Sequence, residues 1–116
     1  MRTHWVHDKE CLSNFFCEVF IDYKGEEEHL FVIHESRNDL QKLLDFYDRN
    51  IKHKEWHMSF NGINFDSQLT MFILKNRDNL LKMTADEVAR DIYKKAQDCI
   101  NRSRNDEFQE YRELDI

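Results

Sequence analysis

Residues 3–34 have the sequence THWVHDKECLSNFFCEVFIDYKGEEEHLFVIH, in which three strand patterns follow one another. Alternating side chains predict strands over residues 3–10 and 15–23, and an apolar run predicts a third strand over residues 29–34. A turn at Lys24-Gly25 separates the second strand from the third. The chain is therefore expected to begin with three consecutive antiparallel strands.

Helical and extended patterns alternate after the third strand. Apolar residues at helical spacing predict a helix over residues 39–47, and alternation over residues 56–60 predicts a fourth strand. Two further helices are expected, over residues 66–74 and, after a capping-box pattern, over residues 84–101. A helix between the third and fourth strands permits a right-handed crossover, so the expected fold class is α/β with a mixed sheet, in a single domain that spans residues 1–116.

The composition argues against several classes of protein. The 116 residues are 41% hydrophobic, which is enough for one domain with a core, and no apolar run reaches the roughly 18–20 residues that cross a membrane. Three cysteines without a C-x-x-C spacing argue against a disulfide framework or a zinc ribbon. We therefore expect a cytoplasmic protein, which would lie in the host-cell cytoplasm if a phage encodes it. A net charge of −6 argues against a surface that binds nucleic acid through phosphate contacts alone.

Three carboxylates form the first candidate site. Asp8 and Glu10 lie two residues apart on the first strand and so point to the same face, while Asp66 begins a helix directly after the fourth strand. If the first and fourth strands are neighbours, three oxygen ligands converge, which suits Mg²⁺ or Mn²⁺ and phosphodiester cleavage. Spacing alone favours a simpler alternative, a solvated carboxylate pair with Asp66 as a helix N-cap.

Two segments resemble the motifs of 3′–5′ exonuclease domains of the ribonuclease H-like, DEDD type found in phage DNA polymerases. Residues 8–16, DKECLSNFF, resemble the first motif, in which Asp-x-Glu is followed by a short turn, an Asn and aromatic residues. Residues 60–66, FNGINFD, resemble the second motif, in which an Asn precedes Phe-Asp by a few residues. The resemblance extends over about residues 3–114.

The resemblance implies a ribonuclease H-like mixed sheet of three antiparallel strands, a crossover helix and a fourth strand, with further helices. It also implies a role for each matching residue. The catalytic, metal-binding carboxylates would be Asp8, Glu10 and Asp66; the residues that contact the 3′ end of single-stranded DNA or support the motif would be Asn61, Phe65, Asn14 and Phe15. The expected cofactor is Mg²⁺ or Mn²⁺.

The chain departs from the family in two places. The family's third motif, which supplies a fourth carboxylate and a Tyr or His that positions water, would follow residue 116, so the domain is expected to lack its C-terminal part. A positioned acid–base group contributes about 10²- to 10⁴-fold, so weak or no activity is expected from the chain alone. His7 and Lys9 also stand where the family has apolar residues. Because a buried Lys is costly, we predict that the face with Trp5, His7 and Lys9 is exposed or forms an interface.

Whether the chain is an enzyme therefore stays open. The alternative is a non-catalytic phage protein built from a polymerase fragment, either an anti-CRISPR-like inhibitor of a host nucleic-acid-targeting defence complex or a partner of replication proteins. Zinc binding by His53 and His57 is not favoured, since the H-E-x-x-H motif has Glu in second place. Phe15, Phe16 and Phe20 offer rings for stacking on bases, although core packing explains them more simply.

Overall fold

The structure of the chain is a computed structural model that describes residues 3–59 and 62–111. Within these residues five strands form one mixed sheet in the order β4-β3-β2-β1-β5. The strands are β1 (Trp5–Leu12), β2 (Phe15–Asp22), β3 (Glu28–His34), β4 (Arg37–Asn38) and β5 (His57–Met58). The helices are α1 (Leu40–Lys52), α2 (Ser67–Lys75), α3 (Arg77–Leu80) and α4 (Ala85–Arg104), and a π-helical turn over Gly62–Asp66 leads into α2.

The strand pairing confirms the expected mixed α/β sheet. β1 pairs with β2 and β2 with β3, both antiparallel, whereas β5 runs parallel to β1. The fourth strand was predicted over residues 56–60, but only His57 and Met58 pair with β1, and residue 60 lies outside the described residues. The helix between β3 and β5 continues to Lys52, beyond the predicted end. The short strand β4 was not predicted.

One face of the sheet, the inner face, is covered by helices and forms the core. Phe16 and Phe20 of β2 and Ile33 of β3 are completely buried there against Leu43 of α1 and Ile92 of α4. Burial of one such side chain stabilises the fold by about 1.5–3 kcal/mol. The N-terminus of α4 is fixed by the predicted capping box, in which the Thr84 side chain accepts from the Glu87 backbone and the Glu87 side chain accepts in return.

The inner face also includes the side of β1 that was expected to be open. Trp5, His7 and Lys9 are 1%, 5% and 3% exposed, so the prediction that this face is exposed or forms an interface is wrong. The physical reason is on the neighbouring strand, where Glu18 lies directly opposite Lys9. The carboxylate of Glu18 satisfies the buried ammonium, so Lys9 is not buried unpaired.

The opposite side of the sheet, the outer face, is open. It carries the alternate residues of the same strands, and Val6 of β1, Ile21 of β2 and Leu30 of β3 are 44%, 40% and 49% exposed. Asp8 and Glu10 point to this face and are exposed as well. None of the helices in the described part of the chain is long and apolar enough to span a membrane.

A carboxylate cleft on the outer face of the sheet

A cleft of about 410 Å³ opens on the outer face where β5 stops. β5 pairs only with Trp5 and Val6, so the next residues of β1 lie beside the π-helical turn and the start of α2. Phe65 and Asp66 of that turn form one wall, and strands β1 and β2 form the other. The residues that line the cleft are Val6, His7, Asp8, Lys9, Val19, Ile21, Phe65 and Asp66.

Asp66 is a buried acid at the wall of this cleft. The residue is 3% exposed, and among the described residues its Oδ1 atom has no hydrogen-bond partner. Burial raises the pKa of Asp66, and attraction to the Lys9 ammonium and a hydrogen bond with the Ser59 side chain only partly offset that rise. An unpaired buried polar atom costs about 1–3 kcal/mol. A perturbed acid of this kind in a cleft is a candidate functional residue.

The three predicted metal ligands are only partly brought together. Asp8 and Asp66 line the same cleft, whereas Glu10 is exposed two residues further along β1, outside the lining. Within residues 3–59 and 62–111, no three His, Cys, Asp or Glu side chains are grouped so that they could hold a metal ion. Mg²⁺ usually keeps several waters and binds through one or two carboxylates. Asp8 and Asp66 are the two carboxylates of the lining that could contribute to such a site, whereas the Asp66 Oδ1 atom itself is buried.

A buried polar network lies behind the cleft. Glu18 accepts hydrogen bonds from His7 Nδ1 and Lys9 Nζ, each at 2.7 Å, and from the hydroxyl of Tyr47. Burial alone would raise the pKa of Glu18, but Lys9 and His7 outweigh it and lower this pKa to about 2. Glu18 is therefore ionised at neutral pH although it is completely buried.

This network connects to the cleft through Thr70 of α2. Lys9 Nζ donates to Thr70 Oγ1 at 2.5 Å, and Thr70 Oγ1 donates to the backbone carbonyl of Asp66 at 3.1 Å. Lys9 thus joins the first turn of α2 to the β1–β2 pair. We infer that the network positions Asp66 at the wall of the cleft.

His57 is held in its neutral form beside the network. Asn50 Nδ2 donates to His57 Nε2 at 2.8 Å, and burial lowers the pKa of His57 to about 4. His53 is exposed at the end of α1, and among the described residues it belongs to no group of side chains that could hold a metal ion.

The remaining predicted site residues lie at different places. Phe65 lines the cleft and packs partly against the core. Asn14 is exposed in the β1–β2 turn, and Phe15 stacks on His34 with ring centroids 5.7 Å apart, so neither lines the cleft. Asn61 lies outside the described residues.

Sequence reasoning missed the polar network and assigned His7 and Lys9 to an exposed face. Lys9 and Glu18 become a cross-strand ion pair only through the pairing register, which places them directly opposite each other on adjacent strands.

Comparisons with protein-family models, with curated protein sequences and with solved structures found no match for this chain.

Proposed function

We propose that this chain is an exonuclease-like domain of ribonuclease H-like fold, related to the proofreading domains of phage DNA polymerases. Its substrate is the 3′ end of single-stranded DNA. One observation carries the proposal: Asp8 and Asp66, which belong to two separate motif-like segments, line the same cleft, and Asp66 there has a buried, unpartnered oxygen. Phe65 in the same wall offers an apolar contact to the terminal nucleotide.

Asp8 and Asp66 would hold Mg²⁺ or Mn²⁺, and Glu10 lies two residues beyond Asp8 on β1, outside the lining of the cleft. When bound, the ion offsets the negative charge that develops on a phosphodiester during cleavage. The described side chains around the cleft leave the charge of a bound phosphodiester without a cation of the protein, which is the reason that an ion is needed. The Lys9 ammonium is buried behind the cleft and donates to Glu18 and Thr70, so its charge is already used within the protein.

The activity of the chain alone is weak. His7 is the histidine in the lining of the cleft, and its Nδ1 is bonded to Glu18. A positioned acid–base group contributes about 10²- to 10⁴-fold. Asp8 and Asp66 therefore supply charge and positioning, and the reaction proceeds slowly.

A second function is supported by the apolar side chains of the open outer face, of which Val6 and Ile21 also line the cleft. Val6, Ile21 and Leu30 expose apolar surface side by side on three adjacent strands. Exposed apolar patches of this kind mark interaction sites. This arrangement favours the alternative of a non-catalytic binding protein that acts on a defence complex or on replication proteins.

The test is single-turnover digestion of 3′-labelled single-stranded DNA by excess protein with Mg²⁺ or Mn²⁺. We expect slow, metal-dependent release of the label by the wild type, no release by Asp8→Ala or Asp66→Ala, and unchanged release by Asp45→Ala, which removes an exposed carboxylate on α1. Release that persists in Asp66→Ala contradicts the proposal. A folded wild type that releases nothing over many hours favours the binding protein.

A further inference from the structure

Three aromatic side chains form a row at one end of the outer face. Trp56, His4 and Tyr23, here called the aromatic row, stand where β5, β1 and β2 lie side by side. The Trp5 backbone N–H donates to the Trp56 carbonyl, and the Tyr23 N–H donates to the His4 carbonyl. The His4 ring centroid lies 5.7 Å from that of Trp56 and 6.4 Å from that of Tyr23.

The row points away from the core. Its neighbours Trp5 and Asp22 are buried on the inner face, and side chains alternate along a strand, so the rings belong to the outer face. Trp56 is 67% exposed and Tyr23 is 54% exposed. Core packing therefore does not account for these two large rings.

The central ring of the row, His4, is oriented before any ligand binds. The backbone N–H of Trp56 donates to His4 Nδ1 at 3.1 Å, which fixes the orientation of the imidazole between its two neighbours. The Lys24 ammonium lies 5.7 Å from the centroid of the Tyr23 ring. A fixed platform loses less conformational entropy on binding than mobile side chains do.

We propose that the aromatic row is a stacking site for the bases of single-stranded nucleic acid. Aromatic platforms bind such strands without strict sequence preference, because every base has a π face, and nearby cations hold the phosphates. The Lys24 ammonium, beside the Tyr23 ring, is such a cation. Glu55, next to Trp56, is already bound inside the protein, because its carboxylate accepts from Thr3 N and Trp5 Nε1.

The inference that the row and the cleft bind the same strand rests on the proposed function and extends it. His4 and Asp8 lie on the same face of β1, four residues or about 13 Å apart. Val6 and Ile21, which line the cleft, occupy the space between them. A strand whose bases stack on the row would therefore lie along the outer face with its end at Asp8 and Asp66.

Continuity with the carboxylate cleft and the Lys24 ammonium beside the Tyr23 ring favour nucleic acid over a protein as the occupant. The test is fluorescence anisotropy of a labelled twelve-nucleotide oligo(dT) with the full chain in EDTA at low salt, so that binding is measured without cleavage. We expect Trp56→Ala and Tyr23→Ala each to weaken binding about tenfold, since each removes a ring on which a base stacks. The matched control is Phe108→Ala, which removes another exposed aromatic side chain, beyond the end of α4. Its affinity should equal that of the wild type.

Tryptophan emission gives a second measurement. Trp5 is buried and Trp56 is exposed, so oligonucleotide binding should quench emission in the wild type and not in Trp56→Ala. Circular dichroism shows whether each variant is folded. A folded wild type that does not bind the oligonucleotide overturns the inference and assigns the row to a protein interface. Equal affinity of Trp56→Ala and wild type overturns it too.

The two proposals can fail separately. If Asp66→Ala abolishes cleavage while Trp56→Ala binds and cleaves like the wild type, the nuclease stands and the stacking site does not. If Trp56→Ala loses oligonucleotide binding and no metal supports cleavage, the stacking site stands and the nuclease does not.

Discussion

Lys9 Nζ and Glu18 Oε2 lie 2.7 Å apart across the β1–β2 pair, and both side chains are fully buried. An ion pair removed from water requires nearly all its polar atoms to be bonded, because desolvation costs several kcal/mol per ion. Here His7, Tyr47 and Thr70 complete the network. The same network bonds to the backbone of Asp66, so the stability of the core and the geometry of the cleft depend on common residues.

The first prediction concerns this pair. Lys9→Met leaves the Glu18 carboxylate buried without its principal cation, and we expect a loss of about 3–5 kcal/mol in the free energy of unfolding, measured with urea. The double variant Lys9→Met, Glu18→Leu should lose less than the single variant, because no buried charge is left behind. A single variant within about 1 kcal/mol of wild type would show that the pair is not desolvated.

The second prediction concerns the link from the network to the cleft. Thr70→Val preserves the shape of the side chain but removes the acceptor of Lys9 Nζ and the donor to the Asp66 carbonyl. We expect a loss of about 1–3 kcal/mol in stability and weaker Mn²⁺ binding at the cleft. Thr70→Ser retains the hydroxyl and should restore both. If Thr70→Val alters stability and leaves Mn²⁺ affinity unchanged, the network does not position Asp66.

The third prediction concerns acid stability. The pKa of His57 is lowered from 6.5 to about 4 by burial, so the unfolded chain takes up this proton at higher pH than the folded chain. Stability should therefore fall by about 3 kcal/mol as the pH drops from 6.5 to 4. His57→Phe should flatten this part of the urea-midpoint profile, while His53→Gln, at an exposed position, should keep it. An unchanged slope in His57→Phe would contradict the assignment.

Glu18 adds a second step at lower pH. Its pKa is lowered from 4.5 to about 2, so its contribution is complete above pH 4.5 and is lost as the pH falls towards 2. We expect about 3 kcal/mol from this group. The fourth prediction is that Glu18→Gln, which cannot ionise, loses the slope between pH 4.5 and 2 and is less stable than wild type at pH 7. A slope that survives in Glu18→Gln would assign the acid transition to other groups.

The fifth prediction concerns the loss of folding stability that the buried Asp66 carboxylate causes. Burial raises the pKa of Asp66, so the folded chain holds this proton at a pH where the unfolded chain has released it. Stability is therefore reduced at neutral pH by the charged form of Asp66. Asp66→Asn should be more stable than wild type at pH 7, and the difference should shrink below pH 3.8, the usual pKa of an Asp. A variant that is less stable at pH 7 would show that the interactions of the Asp66 carboxylate with Ser59 and Lys9 outweigh the cost of burying its charge.

Much of the fold could be predicted from local patterns. The alternation along β1 and β2 and the apolar run of β3 identify the three antiparallel strands, and the capping box at Thr84 identifies the start of α4. The bounds of the fourth strand were harder to predict, because a two-residue pairing such as that of His57 and Met58 depends on tertiary contacts rather than on periodicity.

The face of β1 that is buried could not be decided from the sequence. Both sets of alternate residues contain polar side chains, and Lys9 looked costly to bury because its partner lies on another strand. The pairing register, which places Glu18 opposite Lys9, resolves this. The aromatic row could not be predicted for the same reason. His4, Tyr23 and Trp56 are distant in sequence and become neighbours only through the sheet.

The central claim is that Asp8 and Asp66 act together on a divalent cation in one cleft. The most direct test is a titration of the full chain with Mn²⁺, in which electron paramagnetic resonance measures the free ion. The wild type is compared with Asp8→Asn, Asp66→Asn and Asp45→Asn. We predict one site whose affinity falls about tenfold or more in Asp8→Asn and in Asp66→Asn and is unchanged in Asp45→Asn. Equal Mn²⁺ binding by all four proteins, or none by the folded wild type, would contradict the claim.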